Sequence, residues 1–226
     1  MTPAGPSGDQ PSEHEAELPE RAAEFPERAK RATESPERAK RVEGLSGPDH
    51  GAAVDSTLVV LLDESGEPIG TAAKASVHGT KTPLHLGFSC HVLTEAGELL
   101  VTRRALSKRT FAGVWTNAFC GHPAPGEALE DAARRHANDE LGIELHDLEL
   151  VLPDFRYRAA DSDGVVENEV CPVFVARAAG VPVPNVHEVS EFATVAPGDL
   201  AVALRATPWA FSPWLVEQAK LLPLYR

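Results

Sequence analysis

From Asp55 onward, apolar residues come in short runs that end on turn residues. STLVVLLD (56–63) predicts a strand, and ESGEPIGTA (64–72) predicts a turn leading into another. HLGFSCHVLT (85–94) and GELLVTRRA (97–105) predict a hairpin closed across EAGE. EALEDAARRHANDELG (127–142) predicts a helix: a Pro/Gly turn precedes it, acids fill its first turn, and Gly142 supplies the stop. LELVLPDFRYRAA (148–160) and VENEVCPVFVARA (166–178) predict paired strands, and PGDLAVALRA (197–206) and PWLVEQAKLLPL (213–224) predict helices. Strands that precede, enclose and follow one central helix predict an α/β or α+β domain with a mixed sheet over residues 53–226.

The pattern before residue 53 is different. Residues 1–52 are rich in Pro, Glu, Ala, Arg and Ser, and Pro-Glu-Arg-Ala recurs at Pro19, Pro26 and Pro36. The unequal spacing makes no solenoid period, and each proline interrupts a helix longer than about two turns. Few large apolar residues are present to offset the ordering entropy, so a disordered tail is expected.

Composition narrows the function. The chain of 226 residues carries a formal charge of −13, which disfavours general nucleic-acid binding but leaves room for a small anion in a locally basic pocket. Its three cysteines, Cys90, Cys120 and Cys171, form no CxxC pair, so a disulfide framework is not expected and a reducing compartment is. Absence of an apolar leader or a membrane-length apolar run points to a cytoplasmic protein with no membrane partner.

The chemistry is concentrated around WTNAFCGHPAPGE (115–127) and the helix after it. The spacing Gly121, Glu127, Arg135, Asp139, Glu140, Gly142 is similar to the Nudix box, a loop–helix–loop that binds divalent metal and diphosphate. Positions 136, 139 and 140 share one helical face, and carboxylates there suit Mg²⁺. His136 stands where a Nudix hydrolase carries a glutamate, and Asp139 replaces a second, which weakens a hydrolase reading.

Other stretches add donors. HGTKTPLH (78–85) supplies His78 and His85, CGH supplies His122, and ENEV supplies Glu167 and Glu169 on one strand face. Three imidazoles and two carboxylates suit a first-row divalent ion, Mn²⁺ or Mg²⁺, with Zn²⁺ as an alternative. Each piece by itself has a plain structural explanation: surface histidines, a solvated strand face, a buried thiol.

Taken in order, HGTKTPLH, TRRALSK, GVWTN, CGHP, the Nudix-like helix, DFRYRA, ENEVCPVF and TPWAFSPW resemble the type 1, flavin-independent isopentenyl-diphosphate delta-isomerases over about residues 55–217. The resemblance implies a Nudix-like α/β/α sandwich and interconversion of isopentenyl and dimethylallyl diphosphate through a tertiary carbocation. It implies Cys120 and Glu169 as the proton-transfer groups, Tyr157 placed to hydrogen-bond that glutamate, and Trp209 as an indole wall beside the isoprenoid. His78, His85, His122, Glu167 and Glu169 would hold one ion. Glu140 and the Cys120 carbonyl would hold a diphosphate-bound Mg²⁺, and Lys74, Arg104 and Lys108 would bind the diphosphate. His136 lies where the family often has a basic residue. Trp115 and Trp214 read as core packing, Cys90 and Cys171 as packing residues, and His91 carries no motif. The partner is a small isoprenyl diphosphate, and the fold could work as a monomer. Two rivals are a Nudix pyrophosphohydrolase, which leaves Cys120 and the Glu167/Glu169 pair idle, and a non-catalytic Nudix module.

Overall fold

The computed structural model of the protein describes residues 55–226, and the elements counted below are those among the described residues. The proposed tail, residues 1–52, lies outside the described residues.

Twelve strands and four helices follow in chain order: β1 (Leu58–Leu62), β2 (Pro68–Ala73), α1 (Lys74–Val77), β3 (His85–Leu86), β4 (Phe88–Leu93), β5 (Leu99–Arg104), β6 (Trp115–Thr116), β7 (Phe119–Gly121), α2 (Leu129–Leu141), β8 (Leu145–Leu152), β9 (Arg156–Ala160), β10 (Val166–Val170), β11 (Val173–Ala178), β12 (Val189–Val195), α3 (Pro197–Ala206) and α4 (Pro213–Leu221). The strands pair as expected, in parallel and antiparallel fashion, but divide between two mixed sheets rather than one. One has the order β2-β1-β3-β10-β9; the other has β12-β5-β4-β11-β8, with β6 on β5 and β7 on β4. β12 was not visible in the sequence pattern, because its residues are nearly all exposed and carry no period-2 signal.

Three chain segments that read as continuous strands each change sheet midway. The crossings are at Gly87 between β3 and β4, at Pro153–Phe155 between β8 and β9, and at Cys171–Pro172 between β10 and β11. Proline cannot continue a ladder, so two of these breaks have a local cause. The crossings bond to one another: Gly87 N–H donates to Val170 O at 2.9 Å, and Cys171 N–H donates to Phe155 O at 2.8 Å. The seam therefore brings Gly87, Ser89, Tyr157, Glu169 and Cys171 close together from distant positions.

Helices cover both sides of the strands. α2 packs Leu129, Ala132, Ala133, Ala137 and Leu141 against Phe88 and Phe174. α3 and α4 pack Leu200, Leu204, Trp214 and Leu215 over Val173 and Phe111 in a second core. Gly142 ends α2 in the left-handed conformation, φ 62°, and its N–H returns to Asn138 O, which is the expected stop. Ahead of α2, Arg135 clamps Glu127 through two hydrogen bonds of 2.7 Å each, and Glu127 Oε2 also accepts from Ala124 N–H at 2.8 Å. That clamp is the physical content of the Gly121–Glu127–Arg135 spacing: it folds the loop back onto the helix.

Candidate active site

A pocket of about 220 Å³ opens at the seam and is lined by Cys120, His122, Glu140, Tyr157, Glu167, Glu169 and Trp214, among others. Its polar wall begins with imidazoles. His78 follows α1, His85 starts β3, and His122 follows β7; their ring centroids lie 5.0–5.6 Å apart. One donor atom from each, with one carboxylate oxygen of Glu169, fits within 4.8 Å. Glu169 reaches them because β10 runs parallel to β3 with Glu169 opposite His85.

The hydrogen bonds of this cluster are incomplete in a way that fits a cation. His85 Nδ1 lies 2.9 Å from Pro83 O, so that nitrogen carries a proton and Nε2 is the one turned to the cluster. His122 Nε2 lies 3.2 Å from His85 Nε2 and 3.1 Å from Glu169 Oε1. A single hydrogen there serves only one of them. His78 Nε2 and Glu167 Oε2 lie 2.8 Å apart, yet neither makes a well-formed hydrogen bond, and both are buried. A divalent ion with N/O ligands would satisfy these atoms together. Burial pushes the His122 ring down to about 4, against the pull of Glu169, so it is neutral and able to ligate. Burial would raise Glu169, but its contacts with His122 and His85 hold it well below the usual carboxylate range. Glu167 stands just outside the tight group, beside His78, and takes a hydrogen bond from Thr110 Oγ1.

Cys120 lines the same pocket from β7. Burial pushes its thiol up to about 11, although contacts from Ser89, Asn117 and Arg104 pull the other way. Sγ lies 3.2 Å from Ser89 Oγ and 3.3 Å from Asn117 Oδ1. Asn117 is itself locked: its Nδ2 donates to Cys90 O and Phe119 O, while its Oδ1 accepts from Trp214 Nε1–H at 3.1 Å.

The basic and acidic groups of the pocket mouth come from α1, α2 and the loop after β5. Lys74, Arg104, Lys108, Arg109, His136 and Glu140 all line it. Burial lowers the pKa of Lys74. Lys108 pairs with Glu188, Arg109 donates to His78 O at 2.9 Å, and Glu140 holds His136 Nδ1 at 2.7 Å. Arg104 sits 5.4 Å over the Trp214 ring.

The chain matches the NUDIX domain model over residues 83–215. A curated isopentenyl-diphosphate Delta-isomerase of Agromyces mediolanus is 63% identical over 171 residues, covering 76% of this chain and 83% of that protein. One of Clavibacter michiganensis is 61% identical over 165 residues, covering 73% and 85%. The chain belongs to the isopentenyl-diphosphate Delta-isomerase family. The crystal structure of DR0079 from Deinococcus radiodurans superposes with a TM-score of 0.58 at 21% identity, covering 75% of this chain and 99% of that one, which supports the fold.

Two expectations drawn from the family resemblance sit differently in space. Trp209, expected beside the isoprenoid, is 82% exposed and lines a neighbouring groove with Phe111, Val114 and Phe211. Its short turn, Pro208–Ala210, is held from below by Thr207 and turns the indole outward. Trp214, read as core packing, is buried and also walls the pocket. Tyr157 is the cross-strand partner of Glu169, but among the described residues it makes no hydrogen bond to it; its ring packs 5.4 Å from Trp214. Ser89, Thr110 and Arg109 were missed, since a single polar residue in a strand or loop carries no spacing signal. Asn117 lay inside the GVWTN stretch but had no assigned role.

Proposed function

We propose that this protein interconverts isopentenyl diphosphate and dimethylallyl diphosphate by protonation and deprotonation through a tertiary carbocation. The observation that carries the reading is one pocket in which a thiol and a metal-competent carboxylate, Cys120 and Glu169, stand with an aromatic wall and a basic mouth. Near neutral pH the thiol holds its proton and the carboxylate does not. A reversible allylic proton shift needs one donor and one acceptor, and the roles exchange with direction.

Lys74, Arg104 and Lys108 bind the diphosphate: Arg104 presents a planar fork, and the lysines act as point charges. Arg104 also stacks on Trp214, so substrate binding and the hydrocarbon wall are joined through one side chain. The Trp214 ring, its N–H occupied by Asn117, offers its π face to developing positive charge without offering a nucleophile. Tyr157 and Trp214 exclude water that would trap a cation.

His78, His85, His122 and Glu169, with Glu167 alongside, would hold Mn²⁺ or Mg²⁺, with Zn²⁺ as the alternative. Glu140 and the Cys120 carbonyl would hold Mg²⁺ on the diphosphate. Such ions supply charge neutralisation and tune carboxylate acidity. No flavin is required by this chemistry, the enzyme works as a cytoplasmic monomer, and residues 1–52 are dispensable for turnover. Trp209 reaches the isoprenoid only when its turn folds inward. No helix among the described residues is long and apolar enough to cross a membrane.

The test is incubation with isopentenyl diphosphate and Mg²⁺ in heavy water, following isomer formation and deuterium uptake. Absence of turnover in the parent would sink the isomerase reading. Full activity in both Cys120→Ala and Glu169→Gln would leave the activity but remove this mechanism.

A further inference from the structure

Behind Cys120 runs a buried chain of polar side chains that the mechanism above does not use. Tyr225 Oη lies 2.8 Å from His91 Nδ1, and His91 Nε2 lies 2.9 Å from Gln218 Oε1. Gln218 Nε2–H donates to Ser89 Oγ at 3.0 Å, and Ser89 Oγ lies 3.2 Å from Cys120 Sγ. All four residues behind the thiol are buried in the second core or its floor.

The donor direction of the three links behind Ser89 follows from the groups present. Gln218 Oε1 only accepts, so His91 Nε2 carries a hydrogen. Burial drives His91 down to about 4, so the ring is neutral and Nδ1 accepts from the Tyr225 hydroxyl. Gln218 Nε2 only donates, so Ser89 Oγ accepts there and its own hydrogen points elsewhere. Two sulfurs are within reach, Cys120 at 3.2 Å and Cys171 at 3.4 Å, and Cys120 is the nearer. The chain thus runs from Tyr225 through His91 and Gln218 to Ser89, whose own hydrogen faces the two sulfurs.

The one acceptor assigned to the Cys120 thiol is Asn117 Oδ1. Asn117 Oδ1 already accepts from Trp214 Nε1–H at 3.1 Å and from Thr116 Oγ1–H at 2.9 Å. A carbonyl oxygen has two lone pairs, so the thiol is a third and weakly held donor at 3.3 Å. The sulfur is held from behind, while its hydrogen remains free to turn into the pocket.

We propose that Ser89 is a positioning residue for the Cys120 sulfur, and that the Gln218–His91–Tyr225 relay holds it there by tying α4 and the chain end to the reaction centre. The hydroxyl of Ser89, 3.2 Å from the sulfur, steers it. The role of this contact in turnover rests on the reading of Cys120 as a proton-transfer group.

The experiment compares the full-length parent with Ser89→Ala, Gln218→Met, Tyr225→Phe and Cys120→Ala. Two readouts are taken: kcat and KM for isopentenyl diphosphate, and the rate of Cys120 alkylation by iodoacetamide at pH 8, followed by peptide mass. Ser89→Ala should lower kcat about tenfold, leave KM within about twofold, and slow alkylation by about the same factor as kcat, the size expected for losing one hydrogen bond to a developing anion. A merely structural role would loosen the packing and speed alkylation. Tyr225→Phe and Gln218→Met should slow alkylation by a smaller factor of the same sign. Unchanged kcat in Ser89→Ala, or alkylation as fast as the parent or faster, overturns the proposal. Should Ser89→Ala fail to fold, the other two variants decide it, and parental alkylation in both overturns it. Alkylation needs no turnover, so it judges the positioning even if Cys120→Ala were to retain isomerase activity and so remove the catalytic reading.

Discussion

Gly87 leaves the space that the carboxylate of Glu169 occupies. A Cβ at position 87 would stand 2.3 Å from Glu169 Oε2 and 2.7 Å from its carboxyl carbon. Both residues lie at the seam where β3 hands over to β4 and β10 to β11, and the Gly87 N–H is bonded to Val170 O. The backbone cannot retreat without breaking that link, so the side chain has to move.

Gly87→Ala should therefore displace Glu169 while leaving most of the fold intact. A misplacement of about 1 Å at a reacting group costs on the order of 100-fold in rate. The expected result is a loss of that order in kcat, a weaker divalent-ion site by calorimetry, and a circular dichroism spectrum like the parent's. Parental kcat with parental ion affinity would show that Glu169 tolerates the shift.

Metal removal gives a second test. Chelator treatment should abolish turnover, and Mn²⁺ or Mg²⁺ should restore it. His85→Ala removes a ligand whose Nε2 is aimed at the cluster by the bond of Nδ1 to Pro83 O. It should lower ion affinity by at least about 10- to 100-fold. Metal analysis showing parental occupancy in His85→Ala would remove His85 from the site.

The two tryptophans should separate by spectroscopy and stability. Trp214 is buried and donates to Asn117, so Trp214→Phe should destabilise the fold by about 2 kcal/mol and lower kcat. Trp209 is exposed, so its substitution should leave the melting temperature nearly unchanged. If its turn folds inward over bound substrate, parent fluorescence should shift to the blue on adding isopentenyl diphosphate, and Trp209→Phe should lack that shift.

His91 makes stability fall in acid. Burial lowers its folded pKa to about 4 from an ordinary value of 6.5. Between those values the unfolded chain binds a proton that the folded chain does not, so stability is intact above about pH 6.5 and is lost as pH falls toward 4. The upper bound is about 3.5 kcal/mol, from about 1.4 kcal/mol per unit. Urea unfolding at pH 7 and pH 5 should show this slope, and His91→Gln should reduce it, the remainder coming from His122, which burial also lowers to about 4. An equal slope in the variant would place the effect in other groups.

Much of this protein was legible from its residues. The central helix and its stop at Gly142 follow from local spacing, because helices and their loops are held by neighbours in the chain; that Glu127 and Arg135 clamp each other was seen only in the structure. The Nudix-like box and the ordered set of His, Cys and Glu motifs identified the family for the same reason: side-chain types at fixed intervals survive in a sequence as a readable code.

Only the tertiary structure decided which of those side chains meet, and how. The sheet changes at Gly87, Pro153–Phe155 and Cys171–Pro172 have no period of their own, yet they bring Glu169 against Gly87 and Ser89 behind Cys120. The family resemblance put Trp209 in the site, yet its indole is exposed, because one-dimensional motifs do not say which way a short turn faces; Trp214 is in the core as read, and only the fold shows that it also walls the pocket. Position along the chain determines local shape; meeting across strands depends on packing between segments that lie as many as 134 residues apart, as His91 and Tyr225 do.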